Sequence, residues 1–232
     1  MTTPGLTASD LGLVSYAAAL DRQHAEWAAL LTDRDGPAPR LGTVLALEHH
    51  PVITVSQRPT AAANLLASPE HLAALGVAVE RTDRGGDITY HGPGQLILYP
   101  ILDLNRLGLG IHNYMRLLEE TVILTLRDWG VQGQREPAAT GVWVSACDDA
   151  APAKIAAMGV RVRKWISMHG LSLNVRPNLA HFDLIVPCGL AGRAVTSLER
   201  AIPGGAPTMR EVKARCLHHL NTLIGERMAQ RP

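Results

Sequence analysis

Leu13, Tyr16, Ala17, Leu20, Trp27 and Leu31 recur at the 3.6-residue period of a helix with one apolar face. The chain is therefore expected to begin with an amphipathic helix that ends before Asp35-Gly36-Pro37-Ala38-Pro39. Two short β-rich runs follow, Thr43 to Leu47 and Val52 to Val55, broken by His49-His50-Pro51. Ser68-Pro69 supplies a cap and a first-turn proline for a helix that Gly76 stops. Gln95 to Leu104 is apolar enough for a buried strand. Tyr114 to Trp129 reads as a long helix closed by Gly130, with Leu117, Leu118 and Val122 facing inward.

Beyond a surface loop at residues 145–153 the period changes from 3.6 to 2. Val160 and Val162 alternate with Arg161 and Arg163, and Leu171, Leu173 and Val175 with Ser172 and Asn174. This pattern predicts two antiparallel strands joined by a tight turn near Lys164-Trp165. Thr208-Met209-Arg210-Glu211 has the form of a capping box, and Val212, Cys216, Leu220 and Leu223 continue it as a packing helix. Helices and strands thus interleave without an internal repeat, as in an α/β fold.

Composition removes several classes of function. A chain of 232 residues suits one compact domain, or a large domain with a small appendage, and a single domain is the simpler expectation. Lys plus Arg is 22 against 21 for Asp plus Glu, so no global field draws in nucleic acid. Four Trp, four Tyr and one Phe make few platforms for stacking bases. The three cysteines, Cys147, Cys188 and Cys216, are 41 and 28 residues apart, an odd count without a C-x-x-C pair, which fits a reducing compartment. The N-terminus lacks the pattern of a secretory leader, and no apolar run approaches the ~20 residues that span a bilayer, so a soluble cytoplasmic protein is expected.

The densest chemistry lies in Arg84-Gly-Gly-Asp-Ile-Thr-Tyr-His-Gly-Pro-Gly-Gln95. Four glycines and a proline in twelve residues exclude a helix and predict a held loop whose backbone approaches a ligand. The bland alternative is a tight turn shaped by an Arg84–Asp87 ion pair. The run matches neither the P-loop nor the dinucleotide fingerprint. Pro187 and Gly189 place Cys188 on a bend, where functional side chains tend to be presented. Lys154 opens a segment otherwise free of acidic residues, and a neighbouring cation favours the thiolate that makes a cysteine nucleophilic. Most single cysteines are inert core residues. Cys216 on an apolar helical face and Cys147 in an acidic loop are read that way. No metal-ligand spacing occurs, because adjacent pairs such as His49-His50 and His218-His219 point to different faces. His91 and His169, each followed by glycine, read either as polar groups near the ligand or as satisfied core histidines.

Six blocks, in order, closely resemble the lipoyl(octanoyl) transferases, which move an octanoyl group from acyl carrier protein to a lysine of lipoyl domains. They are RGGDITYHGPGQ (Arg84 to Gln95), TGVWV (Thr140 to Val144), KIAAMGVRV (Lys154 to Val162), MHGLSLNV (Met168 to Val175), PCGL (Pro187 to Leu190) and VTSL (Val195 to Leu198). The match spans roughly residues 10–225.

That resemblance implies an α/β fold of mixed sheets flanked by helices, similar to the catalytic module of lipoate and biotin protein ligases. It implies one catalytic domain over residues 1–232, and no metal or nucleotide cofactor. It assigns Cys188 as the acyl-thioester nucleophile and Lys154 as its partner. Substrate contacts are implied at Arg84, Gly85, Gly86, Asp87, Ile88, Thr89, Tyr90 and His91, at Ala157, Met158 and Gly159, and at Gly170, Leu171 and Ser172. The implied donor is octanoyl-acyl carrier protein. The implied acceptors are lipoyl domains of 2-oxoacid dehydrogenase complexes or the glycine cleavage H protein.

Three positions depart from the family pattern: Ser172 stands where alanine is common, Trp165 replaces a small turn residue, and Ser56-Gln57-Arg58-Pro59 replaces a more glycine-rich stretch. Two rival readings stay open. An ATP-dependent lipoate or biotin ligase would need no nucleophilic cysteine. A non-catalytic lipoyl-domain or carrier-binding protein would keep the pocket without turnover.

Overall fold

The computed structural model describes residues 3–137, 139–145, 151–186 and 193–230. In chain order its elements are β1 (Leu6–Val14), α1 (Tyr16–Asp33), β2 (Gly42–His49), β3 (Val52–Val55), α2 (Pro69–Ala74), β4 (Ala78–Arg81), β5 (Ile88–His91), β6 (Gln95–Leu102), α3 (Leu104–Leu107), α4 (Ile111–Arg127), β7 (Gln134–Glu136), β8 (Ala139–Val144), β9 (Ala153–Arg163), β10 (Ile166–Asn174), α5 (Leu198–Ala201) and α6 (Met209–Ala229). Seven strands form a mixed sheet ordered β1-β2-β6-β10-β9-β8-β7, and β4-β3-β5 form a second. In the large sheet β1 and β2 are parallel and the other pairs antiparallel.

The large sheet has two apolar faces. Leu118, Val122 and Leu126 of α4 and Val212, Cys216, Leu220 and Ile224 of α6 pack on one, against Leu96, Leu98, Val142, Val144, Ala156, Leu171 and Leu173. Ala19 and Leu30 of α1 pack on the other, against Leu45, Leu47, Ile97, Tyr99 and Ile101. Alternation along β6 follows directly, with Leu96 and Leu98 facing α4 and α6 while Ile97 and Tyr99 face α1. Among the described residues no helix is long and apolar enough to cross a membrane.

Several elements form as expected. Thr208 and Glu211 make a reciprocal capping box at α6, and Ser68 caps α2 by accepting from the His71 amide. Lys164 and Trp165 turn the β9–β10 hairpin with φ of 51° and 62°, the left-handed pair that a two-residue hairpin turn requires. A tryptophan there adopts a conformation usually left to Gly or Asn. Ser145, Ala151 and Pro152 lie outside the strands, Ala153 already opens β9 rather than ending the expected loop, and residues 146–150 are outside the described residues.

Other expectations need correction. Leu13 belongs to β1, and α1 starts after Ser15, whose side chain accepts from the Ala18 amide. β1 is a half-exposed edge strand carrying Thr, Ser, Asp and Gly, so its alternation is too weak to read from sequence. The strand from Gln95 stops at Leu102 because Asp103 caps α3 through the Asn105 and Arg106 amides. A third of the glycine-rich stretch is no loop: Ile88–His91 is β5, paired with β3, since Ile-Thr-Tyr-His is β-prone despite its flanking glycines.

Candidate active site

Small residues hollow out the α1-side face of the large sheet. Ala157 pairs with Ser172 and Gly159 with Gly170 across β9 and β10. Their neighbours Ala156, Met158, Leu171 and Leu173 belong to, or pack against, the core under α4 and α6. The result is a cleft enclosing about 480 Å³, part of it open to solvent. It is lined by Tyr16, Arg84, Gly86, Thr89, His91, Tyr99, Ala157, Met158, Gly159, His169, Gly170, Leu171 and Ser172.

Two glycines are required by close approach. A Cβ on Gly159 would stand 2.7 Å from the Gly85 carbonyl oxygen, and one on Gly170 would overlap the Leu98 carbonyl. Gly159 thus lets residues 84–86 cross the strand, where the Gly85 amide donates to Val160 O at 2.9 Å. Arg84 is held over the cleft by bonds to Thr54 Oγ1 at 2.8 Å and to the Thr54 and Asp87 carbonyls.

Of the expected contact residues, Arg84, Gly86, Thr89, His91, Ala157, Met158, Gly159, Gly170, Leu171 and Ser172 line the cleft. Gly85, Asp87, Ile88 and Tyr90 support it from behind. Gly85 pins the loop; Asp87 accepts from Asn64 Nδ2 at 2.8 Å; Ile88 and Tyr90 fill the core of the small sheet. Tyr16 and Tyr99 line the cleft unforeseen, since both sit within apolar periods that read as core.

Two buried histidines, His91 and His169, line the cleft, a third, His49, stands behind Tyr99, and burial holds each neutral. The His49 pKa falls to about 4, and those of His91 and His169 to about 3. Nearby guanidinium groups add to this, Arg84 at His91, and Arg84 and Arg161 at His169. His49 Nδ1 faces Val14 O at 3.2 Å, so it carries the proton and Nε2 accepts from the Tyr99 hydroxyl at 2.8 Å. His91 Nδ1 donates to Gln95 Oε1 at 2.6 Å, Gln95 Nε2 donates to Asn174 Oδ1 at 2.8 Å, and Asn174 Nδ2 donates to Thr196 O at 2.9 Å. This relay ties the cleft to the segment that pairs with Lys154, whose amide donates to Ala194 O and whose carbonyl accepts from the Thr196 amide.

His169 sits at a break in the sheet. It stands opposite Pro100, which has no N–H to give, and there Ser167 Oγ replaces the ladder by donating to Pro100 O and accepting from Leu102 N. His169 has φ of +56°, and its amide donates to Gln23 Oε1 at 2.7 Å. Strand alternation would point it with Leu171 toward α4 and α6. The left-handed residue, at a cost on the order of 1–3 kcal/mol, turns its ring into the cleft instead. Nε2 then donates to Asp83 Oδ1 at 2.8 Å, and Asp83 also pairs with Arg161.

Lys154 is re-aimed by a bulge. Val142 pairs with Ala156 but Trp143 pairs with Lys154, so Ile155 is an extra residue in β9. That offset takes Lys154 off the Ala156–Met158 face and onto the face of Trp143, Ala157 and Gly159. Its Nζ lies 4.8 Å from the centre of the buried Trp143 ring, which Arg193 also approaches, at 4.9 Å. Cys188 and Cys147 lie outside the described residues. Cys216 is wholly buried and its thiol is pushed up to about 12 by burial, which makes it inert.

Comparisons with known proteins agree on a family and a fold. The lipoyl protein ligase A/B catalytic domain family matches residues 18–221. An octanoyltransferase of Chloroflexus aurantiacus is 44% identical over 98% of this chain and 96% of its own. One from Christiangramia forsetii is 45% identical over 80% and 79%. In fold, the chain is similar to the bipartite lipoate protein ligase of the Thermoplasma acidophilum lipoylation system, with TM-score 0.69, 14% identity, and coverage of 97% and 84%. It is also similar to the biotin protein ligase of Aquifex aeolicus, solved with biotin and ATP, with TM-score 0.57, 13% identity, and coverage of 97% and 72%. The chain belongs to the lipoyl protein ligase A/B catalytic domain family, in its octanoyltransferase group.

Proposed function

We propose that the protein transfers an octanoyl group from acyl carrier protein to a lysine of a lipoyl domain by way of a thioester on Cys188. The observation that carries this reading is the bulge at Ile155, which turns the Lys154 side chain to the cleft face, while the Lys154 backbone pairs with Ala194 and Thr196 of the segment that follows Cys188. Cys188 lies six residues before Ala194, the residue bonded to Lys154.

In the first half-reaction the Cys188 thiolate attacks the carrier thioester. A C–S bond forms to the enzyme, the C–S bond to the carrier breaks, and the carrier leaves as a thiolate that takes up the proton Cys188 lost on ionising. In the second, the acceptor lysine amine attacks the acyl-enzyme, an amide C–N bond forms, and the amine proton returns to Cys188. Lys154 stabilises the thiolate at both stages by its charge. The apolar floor from Ala157 to Leu171 takes the acyl chain. Partners are therefore an acylated carrier and a lipoyl domain of a 2-oxoacid dehydrogenase complex or glycine cleavage H protein, and the working compartment is one that keeps Cys188 reduced.

Two reactions run in parallel test this. Octanoyl-carrier protein plus a lipoyl domain is expected to give octanoyl-lysine without ATP, while octanoate with ATP and magnesium is expected to give none. Product only in the second reaction would establish an ATP-dependent ligase instead, the activity that the solved ATP complexes of similar fold make the natural rival.

A further inference from the structure

We propose that His169, fixed by Asp83 and Gln23, forms the end wall of the acyl slot and so sets the chain length the enzyme accepts. The assignment rests on the acyl-transfer reading above, which places the reacting carbonyl at the Lys154 end of the cleft.

Along β9, Gly159 is five residues beyond Lys154, one of them the bulged Ile155. Four strand steps of ~3.3 Å separate the two by roughly 13 Å. An extended eight-carbon chain, with C–C bonds of ~1.5 Å, is roughly 9–10 Å long, so from the Lys154 end its methyl group comes within one strand step of the Gly159–Gly170 pair. Up to there the paired positions on the cleft side are Ala157 and Ser172, then Gly159 and Gly170, with Met158 and Leu171 between them also lining the cleft and residues 84–86 crossing over Gly159. The next residue of β10 toward the hairpin is His169.

Three features make this wall rigid. The Gln23 carbonyl holds the His169 amide, Asp83 holds Nε2, and the edge of the Tyr99 ring system stands against the imidazole with centroids 6.0 Å apart. Arg161 on the far side of Asp83 makes the wall polar, so a longer chain would have to displace an ion pair as well as a ring. A plain β-strand residue at 169 would have faced the opposite core, and the left-handed backbone places the ring here instead.

The test uses the full-length protein with equimolar octanoyl-, decanoyl- and dodecanoyl-carrier protein, with acyl-enzyme read by intact mass. Wild type is expected to label with octanoyl and to exclude dodecanoyl. His169→Gly, which adopts φ of +56° freely, is expected to raise the decanoyl-to-octanoyl ratio about fifteenfold, from about fourfold per methylene that newly fits. His169→Asn, also tolerant of this conformation, should shift the ratio less. A folded His169→Gly with the wild-type ratio overturns the assignment.

Should these variants fail to fold, wild type alone decides. An octanoyl thioester with a terminal diazirine should crosslink to peptides carrying His169, Tyr99 or Arg84, and crosslinks confined to residues 139–157 overturn the proposal. Absence of any wild-type acyl-enzyme contradicts the transfer reading and the assignment with it. Normal acylation with an unchanged ratio contradicts the assignment alone.

Discussion

The Lys154 ammonium rests 4.8 Å from the centre of the Trp143 ring, its cross-strand partner across the β8–β9 bulge. A side chain with four rotatable bonds is thereby held in one place on the cleft face. An exposed cation–π contact contributes about 0.5–1 kcal/mol, and a desolvated one about 2. Trp143→Leu should therefore slow alkylation of Cys188 by iodoacetamide at neutral pH by about twofold to fivefold, the equivalent of 0.5–1 kcal/mol. Lys154→Met should slow it further and move the pH profile upward. Identical profiles for wild type and Lys154→Met would remove Lys154 from the proposed pair.

Cys188→Ala should abolish transfer, with a loss on the order of 10³- to 10⁶-fold, because the acyl group then has no covalent carrier. Cys216→Ala should keep normal turnover and lower stability by about 1 kcal/mol, since it empties a small volume in a packed core. Cys147→Ala should change neither. Steady-state transfer and urea midpoints for the three variants check this, and full activity in Cys188→Ala would contradict it.

Acid should destabilise the fold well above the carboxylate range. His49, His91 and His169 stay neutral in the folded chain, with pKa values of about 4, 3 and 3, while the unfolded chain takes up protons near 6.5. Below that value the unfolded state binds up to three more protons, so stability is intact above pH ~6.5 and falls as pH drops toward the folded values. Between pH 7.5 and 5.5 the loss should be on the order of 4 kcal/mol, about 1.4 per group. Equal urea midpoints at the two pH values would show that these rings are charged or exposed in solution.

Gly159→Ala should damage the cleft without touching the proposed chemistry. The added Cβ meets the Gly85 carbonyl at 2.7 Å, so residues 84–86 must lift from β9 and carry Arg84 with them. A stability loss of about 1–3 kcal/mol is expected from the overpacking. A higher KM for the acyl donor should accompany it. Unchanged stability and KM would mean that the loop does not close on the strand.

Much of this fold was legible from periodicity. The β9–β10 alternation, the Thr208–Glu211 box and the Lys164-Trp165 turn each combine a pattern with a local chemical signal, and each formed as expected. β1 was invisible because an edge strand facing water carries no apolar alternation, and β5 because its glycine neighbours mask a four-residue strand. In the site, glycine motifs identified the cleft floor and its covering loop, since backbone approach demands glycine. Tyr16 and Tyr99 were hidden because a core tyrosine and a cleft tyrosine occupy the same helical or strand position. The left-handed turn at His169 depends on Pro100 and Gln23, residues distant in sequence whose juxtaposition only the folded sheet supplies.

The central claim is a covalent relay through Cys188. Mixing the protein with octanoyl-carrier protein alone, quenching in acid and mapping peptides by mass should find one octanoyl group on the peptide containing Cys188. Adding a lipoyl domain should then clear that peptide while octanoyl-lysine appears in equal amount. Octanoyl-lysine forming while the Cys188 peptide stays unmodified at every time point, or an acylated Cys188 that a lipoyl domain never discharges, would contradict it.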